Sequence, residues 1–157
     1  MQKISPFLWF DDQAEEAVGF YMSLFDDSRI TTTLRYPQNS NLGTPGSVMS
    51  LGFQLAGQEF MALNGGPDFR FNPAISLYVR CESQAEIDRL WEALLDGGEP
   101  QQCGWITDRF GVTWQIVPNV LDEMLTDEDQ IKVQRVTEAF LQMEKFDIPT
   151  LEAAYAG

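Results

Sequence analysis

The sequence predicts an α+β fold made of two βαβββ modules and a C-terminal helical tail. Three observations carry that prediction. Three segments share one helix-start signature, the other periodic segments alternate apolar and polar residues, and the order strand, helix, hairpin occurs twice. The short hairpins between strands make antiparallel neighbours rather than one continuous parallel sheet.

The helix starts are Asp12-Gln-Ala-Glu15, Ser83-Gln-Ala-Glu86 and Thr126-Asp-Glu-Asp129, each pairing a capping side chain with an acidic residue three positions on. The first predicts a helix through Ala14, Ala17, Val18, Tyr21, Leu24 and Phe25. The second runs through Ile87, Leu90, Trp91, Leu94 and Leu95 to the stop at Gly97-Gly98. The third carries Val133, Val136, Phe140 and Met143 and ends before Pro149. Strands are predicted where residues alternate. Ile4, Leu8 and Phe10 oppose Ser5, Phe7 and Trp9, and Met49, Leu51, Phe53 and Leu55 oppose Ser50, Gly52 and Gln54. Likewise Ile75, Leu77, Val79 and Cys81 oppose Ala74, Ser76, Tyr78 and Arg80, and Val112, Trp114 and Ile116 oppose Thr113 and Gln115. Ala56-Gly57 and Phe110-Gly111 read as hairpin turns, and Leu34 to Pro45, rich in Asn, Pro and Gly, as a loop.

The two copies superpose weakly. Leu8 falls on Leu77, Gln13-Ala14-Glu15 on Gln84-Ala85-Glu86, Phe20 on Trp91, and Gly57 with Phe60 on Gly111 with Trp114. The expected modules are 1–66 and 67–120, with the tail at 121–157.

Composition narrows the function. The chain has 157 residues, with 10 Lys and Arg against 24 Asp and Glu, a net charge of −14. Such a surface repels phosphate backbones and anionic lipid, so neither nucleic acid nor membrane is an expected partner. Histidine is absent. That removes the commonest general base, every His-activated nucleophile and every His-containing metal site. Cys81 and Cys103 read as reduced thiols, Cys81 as a small buried hydrophobe. No signal peptide or membrane span is legible, and the expected location is the cytoplasm.

Four stretches carry a family resemblance: Phe60-Met-Ala-Leu-Asn-Gly-Gly-Pro67, Phe71-Asn-Pro-Ala-Ile-Ser-Leu77, Cys103-Gly-Trp-Ile-Thr-Asp-Arg-Phe-Gly111 and Trp114-Gln-Ile-Val-Pro118. The chain resembles the PhnB-like branch, labelled 3-demethylubiquinone-9 3-methyltransferase, of the vicinal oxygen chelate superfamily that includes glyoxalase I, extradiol dioxygenases and fosfomycin-resistance proteins. The tail around Lys145-Phe-Asp-Ile-Pro-Thr-Leu-Glu152 is similar to that branch as well. The resemblance implies mixed, curved sheets and a homodimer. It also implies that the metal ligands of metal-dependent relatives fall near Ser5, Met61 (or Phe60), Ala74 and Gln115. None of these is ionised, so neither a metal nor a cofactor is expected. The methyltransferase label finds no support in a Gly-rich strand-to-helix loop, which the sequence lacks.

The face opposite the helices is expected to line a hollow between the modules, with apolar walls and a few polar groups, the pattern of a small-molecule pocket. The ligand-binding candidates are Ser5, Trp9, Ser76, Tyr78, Arg80, Thr113 and Gln115. Arg80 suits a carboxylate or phosphate, or else a surface ion pair. Asn64-Gly65-Gly66-Pro67 reads as a linker turn and Asp108-Arg109-Phe110-Gly111 as a hairpin tip. The acidic run Asp127-Glu128-Asp129 reads as the first turn of a helix. The reading favoured is metal-free binding or turnover of a small polar molecule. A metal-dependent lyase or dioxygenase and a methyltransferase are the alternatives, and the sequence leaves open whether the chain is an enzyme.

Overall fold

The computed structural model describes all 157 residues, which divide into two compact units, Met1–Phe71 and Asn72–Gly157. Each holds one four-stranded mixed sheet.

In the first unit the elements are β1 (Phe7–Phe10), α1 (Ala14–Leu24), β2 (Arg29–Arg35), β3 (Val48–Leu55) and β4 (Gln58–Asn64), with sheet order β1-β4-β3-β2. Ala56 and Gly57 both take positive φ (47° and 80°), the requirement of a two-residue hairpin turn, so β3 and β4 are antiparallel. β1 reaches β4 only through the rest of the module and pairs with it parallel. Ala14, Ala17, Val18 and Tyr21 of α1 are buried, as are Leu51 and Phe53 of β3 and Ala62 of β4. The larger of these, Val18, Leu51 and Phe53, contribute about 1.5–3 kcal/mol each.

The second unit repeats the plan. β5 (Leu77–Cys81), α2 (Gln84–Leu95), β6 (Glu99–Pro100), β7 (Trp105–Thr107) and β8 (Thr113–Pro118) give the order β5-β8-β7-β6, with β5 and β8 parallel. The core under α2 joins Ile87, Leu90 and Leu94 to Ile106, Trp114 and Ile116, all buried. The unit continues into α3 (Asn119–Leu125), α4 (Gln130–Phe140) and α5 (Ile148–Ala156).

Several boundaries differ from the sequence expectations, each for a local reason. β1 begins at Phe7 rather than Ile4, because Pro6 has no N–H to donate and offers its carbonyl to Met61 N instead. β5 begins at Leu77, since Asn72 Oδ1 accepts from Ala74 N and turns the chain before Ile75. Leu34 and Arg35 end an edge strand, and the loop starts at Tyr36.

Of the three expected caps only Ser83 holds, its Oγ accepting from Glu86 N at 3.2 Å. Asp12 caps nothing. The first N–H of α1, from Ala14, donates to Asn64 Oδ1 at 2.8 Å. Thr126 closes α3, and Asp129 caps α4 by accepting from Ile131 N at 3.0 Å. Asp127 and Asp129 are thereby turn and cap groups, with Asp127 Oδ1 accepting from Asp129 N at 2.7 Å.

The apolar stripe of the third predicted helix is used within the second unit. Val136 is fully buried, and the Phe140 and Phe146 ring centroids lie 6.1 Å apart. A strap over residues 143–148 ties the tail down. Cys103 N and Gly104 N donate to the carbonyls of Met143 and Glu144 at 2.8 and 2.7 Å. Gln84 donates to Phe146 O at 2.9 Å and accepts from Ile148 N at 2.7 Å, and Lys145 pairs with Asp88 at 2.7 Å.

Candidate functional site

Strand register decides which candidates share a surface. In the second unit Leu77, Trp114 and Ile106 stand side by side across the sheet beneath α2. The next rank, Tyr78, Gln115 and Trp105, therefore points to the opposite face, as do Arg80 beside Val117 and Thr113 beside Thr107. Thus Tyr78, Arg80, Thr113 and Gln115 share one face, and Ser76, just before β5, reaches it through its hydrogen bond to Gln115.

Neutral groups dominate this face. Gln115 Nε2 donates to Ser76 Oγ at 2.9 Å, which leaves Gln115 Oε1 free to accept. Thr107 and Thr113 hydroxyls meet at 3.3 Å, and Gln101 Nε2 donates to Thr107 Oγ1 at 2.8 Å. Charge enters at the two edge strands, at Glu99 beside Thr107 on β6 and at Arg80 on β5. The Arg80 guanidinium lies 5.1 Å from the Tyr78 ring centre, and its Nε stands 3.8 Å from a carboxylate oxygen of Asp122 on α3. Partial burial and the nearby Asp122 charge push the Tyr78 hydroxyl above its ordinary pKa, against a smaller opposing pull from Arg80.

Sequence reasoning missed Trp105, Thr107, Gln101 and Asp122. Trp105 and Thr107 flank the buried Ile106 with period two, a signal that places both on the face. Asp122 has no such signal, because only the packing of α3 brings it to Arg80.

The first unit holds the other two candidates. Ser5 Oγ accepts from Gln2 Nε2 at 3.2 Å. Trp9 Nε1 donates to Gly66 O at 2.9 Å, and its ring meets Phe69 edge-on at 4.9 Å between centroids. A Cβ at Gly65 would lie 2.4 Å from the Trp9 ring, so glycine there permits the close approach. Gly65 N and Gly66 N donate to Phe10 O and Asp11 O, so Asn64 to Pro67 is a turn whose N–H groups serve its own unit. A cleft of about 310 Å³ also opens in the first unit, walled by Asp11, Asp12, Glu15, Tyr36, Gly43 and Asn64 among others. None of the seven candidates lines it.

The remaining reactive groups are structural. Cys81 is fully buried, and burial, reinforced by Glu86, pushes its thiol up to about 12, so it holds no thiolate near neutrality. Asp108 is buried and accepts from Phe110 N, Val112 N and Trp114 Nε1, which makes Asp108–Gly111 a hairpin tip. Of the positions where relatives would hold a metal, Ala74 is exposed in a turn and Gln115 offers a neutral carbonyl.

Paired βαβββ units with these sheet orders define a glyoxalase-like protein of the vicinal oxygen chelate superfamily. Within it, residues 2–117 match the family model described as 3-demethylubiquinone-9 3-methyltransferase, and the chain belongs to that PhnB-like family. The PhnB protein from Bacillus cereus is 41% identical, with a TM-score of 0.69 over 74% of this chain and 99% of that one. PA1353 from Pseudomonas aeruginosa is 24% identical, with a TM-score of 0.62 over 75% of this chain and 98% of its own. The fosfomycin resistance protein FosX from Listeria monocytogenes shares the fold at 16% identity, with a TM-score of 0.58 over 80% and 98% of the two chains. No curated protein matches. The family match stops before α3, so the tail, including the stretch Lys145 to Glu152, lies beyond it.

Proposed function

We propose that this chain binds, and in an enzyme would turn over, a small polar molecule without a metal or cofactor, using the face of the second sheet opposite α2. The observation that carries the reading is the convergence of neutral donors and acceptors there. Ser76, Thr107, Thr113 and Gln115 are linked in pairs, and Gln115 Oε1 has no partner. Tyr78 and Arg80 supply an aromatic surface and a cation at one end of the face. Ser5 and Trp9 stay in the proposed set for the first unit, though their polar atoms already have partners.

The test is native mass spectrometry of untagged protein for a co-purified metabolite, followed by its affinity for the Gln115→Ala variant. Loss of Gln115 should weaken binding by about 1–3 kcal/mol, the cost of an unsatisfied buried partner. Unchanged affinity would remove the face from consideration. Stoichiometric zinc, nickel or iron in the same preparation would favour the lyase or dioxygenase alternative, and S-adenosylmethionine binding by calorimetry the methyltransferase one.

The location is proposed to be cytoplasmic, on the reading of the two free cysteines as reduced thiols; no helix is long and apolar enough to cross a membrane. A homodimer is proposed too. Its support is the apolar surface left on the first sheet, where Phe7 and Leu34 are each 52% exposed and share the face opposite α1. Light scattering at micromolar concentration should give twice the chain mass, and a monomer would refute it.

A further inference from the structure

The Arg80 end of the second sheet carries a more specific message than the Ser76, Thr113 and Gln115 groups beside it. Arg80 Nε and Asp122 Oδ2 are 3.8 Å apart, too far for a hydrogen bond, and the two side chains are 67% and 56% exposed. Neither Arg80 Nη group and neither Asp122 carboxylate oxygen makes a hydrogen bond, and their one contact with each other is the ion pair through Nε. The two charges therefore face each other with their hydrogen-bonding capacity unspent. The Tyr78 ring lies under the guanidinium, and its hydroxyl is free as well. Next across the sheet stands Gln115, with its unpartnered carbonyl.

We infer that Arg80 and Asp122 together select a small zwitterion, an α-amino-acid-like molecule whose carboxylate meets the guanidinium and whose ammonium meets the Asp122 carboxylate. This rests on the reading of the second sheet's face as the ligand site and names the ligand class for it. A planar guanidinium with both Nη groups open matches a carboxylate bidentately, which an ion pair through Nε alone leaves possible. A simple carboxylate would gain the same contact but bring its charge against Asp122, and a simple amine would bring its charge against Arg80. Only a ligand bearing both charges satisfies both groups and meets no repulsion, so discrimination comes from the unfavourable pairing as much as from the favourable one. The Tyr78 ring offers a surface for an aromatic or aliphatic side chain. Asp122 lies on α3, past residue 117 where the family match ends, so the selectivity is a property of the tail rather than of the shared scaffold.

Three probes of one shape test this: L-phenylalanine, 3-phenylpropanoate and phenethylamine, titrated into full-length ¹⁵N-labelled protein and followed by backbone and side-chain amide shifts. The expected result is shifts at Ser76, Tyr78 and Gln115 with L-phenylalanine bound about tenfold tighter than either singly charged probe. Asp122→Asn should abolish the preference over 3-phenylpropanoate, and Arg80→Gln the preference over phenethylamine. Both side chains are more than half exposed, so neither substitution threatens the fold. Equal binding of the three probes on this face, or a preference that survives Asp122→Asn, would overturn the inference and leave the ligand face standing. Absence of shifts at Ser76, Tyr78 and Gln115 with every probe would overturn both.

Discussion

The indole N–H of Trp114 donates to the Asp108 carboxylate at 2.9 Å, and both residues are buried. The other oxygen of Asp108 accepts from Phe110 N at 2.8 Å and Val112 N at 3.1 Å. One carboxylate thus closes the β7–β8 hairpin and anchors the buried Trp114 ring in the second core. It fixes the register that sets Gln115 and Thr113 on the opposite face.

Asp108→Ala is expected to destabilise the protein by about 3 kcal/mol, since three donors lose the buried carboxylate they share. Asp108→Asn should cost less, because its remaining carbonyl oxygen still accepts. Urea denaturation of the three proteins checks the order, and an alanine variant as stable as wild type would contradict it.

Gly104 has φ +80°, and a Cβ there would lie 2.4 Å from the Phe146 ring and 2.8 Å from Ile116 O. Gly104→Ala is therefore expected to dislodge the strap as well as strain the backbone. Phe146→Ala should remove the same contact by leaving a cavity, at about 3–5 kcal/mol. Limited proteolysis should then cut both variants near residues 141–148, where wild type resists.

The start of α1 depends on a side chain fifty residues away. Asn64 accepts from Ala14 N and donates to Glu15 Oε1 and to Val48 O. Asn64→Ala should cost about 1–2 kcal/mol, the scale of a lost helix cap, whereas Asp12→Ala should stay within about 0.5 kcal/mol. Thermal melting of the two variants distinguishes them.

Cys81 sets a pH dependence. Its thiol titrates at about 12 in the folded chain and near the ordinary value of 9.0 when unfolded. The folded state therefore holds the proton more tightly. Its contribution to stability is whole below pH 9 and is lost as pH rises from about 9 to 12. Cys81→Val should flatten the alkaline fall in melting temperature over that window. At pH 8 a thiol reagent should modify the partly exposed Cys103 in native protein and both cysteines only after denaturation.

Period-two alternation and the turn residues were enough to assign faces. Tyr78, Arg80, Thr113 and Gln115 share one face because β strands place every second side chain on the same side, a rule that holds before any packing is known. The positive φ that Ala56-Gly57 must adopt likewise determined an antiparallel hairpin locally. What tertiary structure alone decided is where distant side chains finish local jobs. Asn64 rather than Asp12 satisfies α1, the 143–148 strap reaches Gly104, and α3 sets Asp122 beside Arg80. Alternation and capping propensity are properties of a few adjacent residues. A hydrogen bond or ion pair across forty or fifty residues exists only after the chain has folded back on itself, and no short-range pattern encodes which acceptor arrives first.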